Sequence, residues 1–167
     1  ESAGNVLEVV ECVRCLQGKG HADLEEIVLD LAEAVSASSR EQLRQWIRDG
    51  SAWEKFQEMV ALQGGDVSAL ERLTEIHRAP CIGEWKATTS GLLEKMDAGT
   101  LGQVVLELGG GRAKANDAID FAVGCDQIAK VGTEVRAGDV LLRVHARTPQ
   151  SLESALVRLS SGIHIRA

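Results

Sequence analysis

Ile128-Ala129-Lys130-Val131-Gly132-Thr133-Glu134-Val135-Arg136-Ala137-Gly138-Asp139-Val140-Leu141-Leu142-Arg143-Val144-His145 is the stretch on which the fold turns. It predicts two strands joined at Arg136-Ala137-Gly138-Asp139, because glycine falls at a turn position and β-branched residues alternate around it. In the second strand Val140, Leu142 and Val144 alternate with Leu141, Arg143 and His145, the period of two that a strand imposes.

Working outward, the same texture reaches back to Ala79-Pro80, with glycines at turn positions 83, 91, 124 and 132. Two helical runs interrupt it. Leu101, Val104, Val105 and Leu108 recur helically between about 98 and 108, before Gly109-Gly110-Gly111. Leu152, Ala155, Leu156 and Leu159 form a last helix followed by Gly162. Upstream the chain reads as helices. Val6, Val9, Val10, Val13 and Leu16 form a first run, ended by Gly18-Lys19-Gly20. Asp23, with Glu26 three residues later, predicts the N-cap of a second helix, whose stripe Leu24, Ile27, Val28, Leu31 and Val35 reads as core. Ser38 or Ser39 opens a third helix carrying Leu43, Trp46 and Ile47, stopped by Gly50. Ser51 and Glu54 have capping-box spacing for a fourth, with Trp53, Phe56, Met59 and Val60 inward and Gly64-Gly65 closing it. Asp66 turns into a short amphipathic piece from about 67 to 73. Trp46 and Trp53 read as packing anchors. The expected class is α+β, with a helical part over 1–76 and an α+β domain over 80–167.

The chain has 167 residues, 44% hydrophobic and 26% charged, with a net charge of −7. That composition excludes a wholly disordered chain and a disulfide-held scaffold. The acidic balance argues against gripping nucleic-acid phosphates or an anionic membrane, and no apolar run approaches the roughly 18 residues of a membrane span. The opening Glu1-Ser2-Ala3-Gly4-Asn5, without Met or a signal-like segment, predicts a cut end. Cys12, Cys15, Cys81 and Cys125 suit a reducing compartment. Cys12-x-x-Cys15 has the spacing of a zinc or redox pair, but no second knuckle follows, and its place in an apolar helical pattern predicts buried thiols.

Chemistry-bearing motifs are sparse. Gly109-Gly110-Gly111-Arg112 lacks the order of a phosphate loop and follows a helix instead of preceding one, so it predicts a glycine C-cap leading into a strand. Carboxylates such as Glu8, Glu25, Glu26, Glu71 and Glu94 fit solvated helix faces. The residues show no Ser-His-Asp order, no H-E-x-x-H and no catalytic carboxylate pair. Ala129 to Leu142 resembles one half of the barrel-sandwich hybrid of lipoyl and biotinyl carrier domains. The following Arg143-Val144-His145-Ala146-Arg147-Thr148 offers no carrier lysine, so the element is expected without the swinging arm.

Gly4-Asn5-Val6-Leu7-Glu8-Val9-Val10-Glu11, Gly18-Lys19-Gly20 and Asp23-Leu24 resemble the G-N-A-x-E-V-x-E-A…G-x-G-P-x-D-L pattern of pyrimidine-nucleoside phosphorylases, including thymidine phosphorylases. The likeness continues at Phe56 to Gly65, Gly91 to Asp97, Leu108 to Arg112, Asp117 to Gly124 and Val131 to His145, in the family's order. The resemblance implies the C-terminal part of such an enzyme. Residues 1–76 would be helices of its large α/β domain, and 80–167 its C-terminal domain, a barrel-sandwich-like sheet with helices. The implied activity is phosphorolysis of thymidine or another pyrimidine nucleoside to free base and (deoxy)ribose 1-phosphate, in nucleoside salvage. It implies a cytoplasmic homodimer that needs no cofactor and binds neither nucleic acid nor membrane. No catalytic residue is expected here, because the phosphate loop and base-holding residues belong to the family's N-terminal part; the chain alone would be inactive. One site carries over: a monovalent cation, potassium, held by the Glu11 carboxylate and the Ser2 carbonyl. Ala146-Arg147-Thr148-Pro149 resembles a cleft segment that moves on domain closure. The alternative readings are a stand-alone barrel-sandwich interaction or carrier-like module, and a zinc or redox protein using Cys12 and Cys15.

Overall fold

The computed structural model describes residues 1–167 as two compact units, Glu1–Glu8 with Thr74–Ala167 and Val9–Leu73. The class is mixed α+β: seven helices and two small antiparallel sheets, not a closed barrel.

In the first unit, β1 (Cys81–Lys86), β5 (Val140–Ala146) and β3 (Gly124–Asp126) form one sheet in the order β1-β5-β3. The other sheet is β4 (Glu134–Val135), β2 (Gly91–Met96) and β6 (Ile163–Arg166), in the order β4-β2-β6. Helices α6 (Ala98–Val105) and α7 (Pro149–Leu159) complete the unit. Leu101, Val104, Val123, Leu142, Val144, Ala155 and Leu159 close the larger core, and Ala87, Leu93, Val135 and Leu141 a smaller one. Adjacent Leu141 and Leu142 point to opposite faces of β5, which is why one strand feeds both cores and, apart from half-buried Arg143, stays buried from Leu141 onward.

The strands of the 128–145 stretch form, but they do not pair with each other. β4 pairs with β2, while β5 pairs with β1 and β3. The turn itself is as expected: Gly138 has φ 95° and the Asp139 N–H donates to the Arg136 carbonyl at 3.0 Å. Its flanks diverge because it docks on the link between β1 and β2, through Gly138 N–H to the Ala87 carbonyl at 2.8 Å and Ala87 N–H to the Asp139 carbonyl at 2.9 Å. The triple glycine ends α6 through a π turn over Leu106–Gly110, Gly109 having φ 96°. No strand follows at once; the backbone is irregular until Gly124.

The second unit holds most of α1 (Asn5–Leu16), with α2 (Ala22–Val35), α3 (Arg40–Arg48), α4 (Ser51–Leu62) and a 3-10 turn over Val67–Arg72; α5 (Leu73–Ile76) follows. Two caps differ from expectation. His21 is the extended residue before α2, which places Asp23 inside the first turn. Gly50, in the left-handed region at φ 86°, precedes α4, so Ser51 is already helical and its N–H donates to Asp49 Oδ1 at 3.0 Å. Ser39 caps α3 as its sequence position predicts, and Asp66, at the expected turn, accepts from the Ser68 N–H. The α2 stripe is a larger departure. Leu29 is the buried residue, while Ile27, Leu31 and Val35 are exposed. The inward surface of α2 is rotated toward Leu29, where α2 meets α3 and Arg40 and Arg44 pair with Glu26. Only Val13, Cys15, Leu29 and Ile47 are fully buried apolar residues of this unit. Trp53 stacks on Phe56 with centroids 5.9 Å apart, as an anchor should, but Trp46 and Met59 are exposed.

Candidate functional site

The register of β3 against β5 sets Gly124 opposite His145 and Asp126 opposite Arg143. Strand alternation then sends Asp126, Arg143 and His145 to one face, and Cys125, Leu142 and Val144 to the core. Arg143 grips the carboxylate with both arms, Nε to Asp126 Oδ1 at 2.8 Å and Nη2 to Oδ2 at 2.6 Å. His145 Nε2 lies 3.2 Å from the same Oδ2 but outside hydrogen-bond geometry, and this buried nitrogen has no other partner. Burial pushes the Asp126 carboxyl up, but the His145 and Arg143 contacts overrule it and hold the group down at about 2. Burial, reinforced by the Asp126 charge, pushes the Cys125 thiol up to about 12.

The start of the chain is stitched along this strand. Ala3 N–H donates to the Cys125 carbonyl at 2.9 Å, Cys125 N–H to the Ala3 carbonyl at 2.7 Å, and Ile128 N–H to the Glu1 carbonyl at 3.0 Å. Two glycines make the crossing possible. A Cβ on Gly124, at φ 151°, would meet the Ala3 carbonyl oxygen at 2.3 Å, and one on Gly4, at φ 124°, the Val123 oxygen at 2.6 Å. Gly4 N–H donates to Glu8 Oε1 at 2.7 Å, and Asn5 Nδ2 to the Gly110 carbonyl at 2.7 Å. The triple glycine is thus a backbone node, and Arg112 beside it is exposed.

Ser2 lies in this stitched segment of the first unit, half-buried; Glu11 lies on α1 in the second unit, also half-buried. In the 146–149 segment, Arg147 Nη2 donates to Asp120 Oδ1 at 2.8 Å and Nη1 to the Arg78 carbonyl at 3.4 Å. Thr148 caps α7 with Pro149 in its first turn. Of the two C-x-x-C cysteines, Cys15 is buried and Cys12 exposed, correcting the expectation of two buried thiols. Position 12 is exposed whereas Val13 and Cys15 are buried, and no group of three or more His, Cys, Asp or Glu is arranged to hold a metal.

Chemically, these groups position backbone; none is poised to react. Asp120 and Asp126 are each held by an arginine, and Cys125 is a protonated core thiol. Sequence reasoning missed the Asp126–Arg143–His145 cluster. Arg143 and His145 were visible as alternating residues of one strand, whereas Asp126 enters only through the pairing of β3.

Residues 92–166 match the family pattern described as the pyrimidine nucleoside phosphorylase C-terminal domain. These residues belong to the C-terminal domain of the pyrimidine nucleoside phosphorylase family. The similarity extends well beyond that domain. The chain is 36% identical to a pyrimidine-nucleoside phosphorylase of Staphylococcus haemolyticus, over 98% of its own length and 40% of the relative's. It is 35% identical to a thymidine phosphorylase of Burkholderia cenocepacia, over 96% and 39% respectively. With a pyrimidine-nucleoside phosphorylase of Geobacillus stearothermophilus it shares 34% identity over 98% and 40%. The chain therefore spans about 40% of the length of the relatives it matches.

Proposed function

We propose that this chain is part of an enzyme that cleaves pyrimidine nucleosides, thymidine or uridine, with phosphate. A phosphate oxygen bonds to C1′ of the sugar, the C1′–N bond breaks with its electrons leaving on the base, and the products are free base and (deoxy)ribose 1-phosphate. The observation that carries this reading is similarity over 96–98% of the chain to enzymes so named. Groups that hold phosphate and stabilise charge on the departing base are assigned to the rest of the parent, because the carboxylates and thiol described here are occupied structurally. In this reading the chain's own contribution is support, and by itself it does not turn over substrate. The parent is read as a cytoplasmic homodimer working without cofactor, nucleic acid or membrane; no helix is long and apolar enough to cross a membrane.

Ser2 and Glu11 remain the residues proposed to hold potassium in the parent. Both are half-buried, and the carbonyl of one and the carboxylate of the other are hard oxygen donors of the kind such a cation takes. The Ala146–Pro149 segment is proposed to border the cleft.

The test is phosphate-dependent release of base from thymidine and uridine, run on the parent and on this 167-residue chain. Turnover by the parent alone is the expected result. A parent that releases no base with phosphate would remove the reading, and clear turnover by the chain alone would remove its assignment as support.

A further inference from the structure

We infer that Cys12 and Cys15, in the second half of α1, form a reversible thiol–disulfide site oxidised by a small-molecule disulfide such as glutathione disulfide. Of the four cysteines, Cys12 alone is exposed; Cys81 is half-buried, and Cys15 and Cys125 are buried. The Cys81 Sγ donates to the Arg147 carbonyl at 3.9 Å, and burial keeps Cys125 a protonated core thiol. Accessibility therefore makes Cys12 the point of entry for an oxidant. Its partner is fixed by the helix. Cys15 follows three residues later in α1, where Cα atoms stand about 5 Å apart, inside the roughly 4.4–6.8 Å that a disulfide bridges. Burial first, then the Glu25 charge, then Cys12 itself push the Cys15 thiol up, so Cys15 is within the influence of Cys12 yet closed to solvent.

The surroundings of Cys15 make the bond labile. Cβ atoms of such helical neighbours lie about 5–6 Å apart, against about 3.8 Å across a disulfide. Closing the bond therefore tightens the end of α1. Cys15 is anchored on its far side: its carbonyl accepts from the Gly18 N–H at 3.0 Å, and a Cβ on Gly20 would meet its Cα at 2.7 Å and its Sγ at 3.3 Å. The movement falls on the turn that carries Cys12. A bond closed against helix geometry is easily reduced, which is the character of a sensing disulfide and not of a structural one. The exchange runs in two steps. Cys12 Sγ bonds to one sulfur of glutathione disulfide, whose S–S bond breaks, and the departing glutathione takes up the Cys12 proton. Cys15 Sγ then bonds to Cys12 Sγ and displaces the second glutathione, which takes up the Cys15 proton. Two protein thiols lose two electrons, and the oxidant becomes two thiols. The site stands independently of phosphorolysis.

The experiment equilibrates the 167-residue chain across ratios of reduced to oxidised glutathione, blocks remaining thiols in acid, and digests with trypsin without reduction. Cleavage after Arg14 and Lys19 leaves Cys12 in residues 1–14 and Cys15 in residues 15–19, so mass spectrometry reads a Cys12–Cys15 bond as those two peptides joined. The expected result is the joined pair in oxidising mixtures, its complete loss in reducing ones, and Cys125 unmodified throughout. Cys15→Ser is expected to keep glutathione on Cys12, and Cys12→Ser to leave Cys15 unmodified. Should either variant fail to fold, the wild-type chain decides by itself. A joined pair that never forms, or that reduced glutathione does not open, overturns the inference. So does a glutathione that stays on wild-type Cys12, a bond between the Cys12 residues of two copies, or oxidation of Cys125 as readily as Cys12.

Discussion

Gly124 has no room for a side chain: the atom a Cβ would strike is backbone, and φ 151° is a conformation L side chains rarely adopt. Gly124→Ala is therefore expected to destabilise the first unit by more than about 2 kcal/mol, read from the urea midpoint. Asp126 gives a pH signature. Its folded-state value of about 2 lies below the ordinary carboxylate value of roughly 3.9, so its contribution is complete above that ordinary value and is lost as pH falls toward 2. At pH 7, Asp126→Asn is expected to cost on the order of 2 kcal/mol. The gap from wild type should close between about pH 4 and pH 2. A gap that stays constant over that window would contradict the role given to the Arg143 and His145 contacts.

Helix and strand identities follow from local pattern, and so does much of the capping. The Thr148 hydroxyl accepts from the Ser151 N–H at 3.1 Å, and the Ser151 hydroxyl accepts from the Thr148 N–H at 3.3 Å. Thr148→Ala should lower stability by about 1 kcal/mol, whereas Thr148→Ser should be nearly neutral in the same unfolding measurement. What local pattern did not reveal is pairing. Val135 and Val140 flank one turn, yet they belong to different sheets because Ala87 captures that turn, a contact some fifty residues away in sequence. The same limit hid Asp126, whose partners are set by register. It also hid the orientation of α2, because periodicity reports a stripe without saying what lies against it. Glu11 and Ser2 came from family resemblance alone; their residue types carry no ligand signature.

At the scale of the molecule, the unequal cores should make the two units report differently. Cys15 and Cys125 are both buried, one in each unit, and burial raises both thiols. In rising urea, a thiol reagent is expected to modify Cys15 at lower denaturant than Cys125, with Cys12 reactive from the outset. Simultaneous loss of protection at Cys15 and Cys125 would show instead that the units unfold as one. The Ala3–Cys125 bridge carries a consequence for synthesis on the ribosome. Residues 1–8 are made before the helical unit, yet their partner strand is made more than a hundred residues later. Val9–Leu73 is one uninterrupted stretch and can take shape while residues 1–8 wait for β3. Joining Ala3 to β3 is a late, long-range closure, slow compared with the local helices.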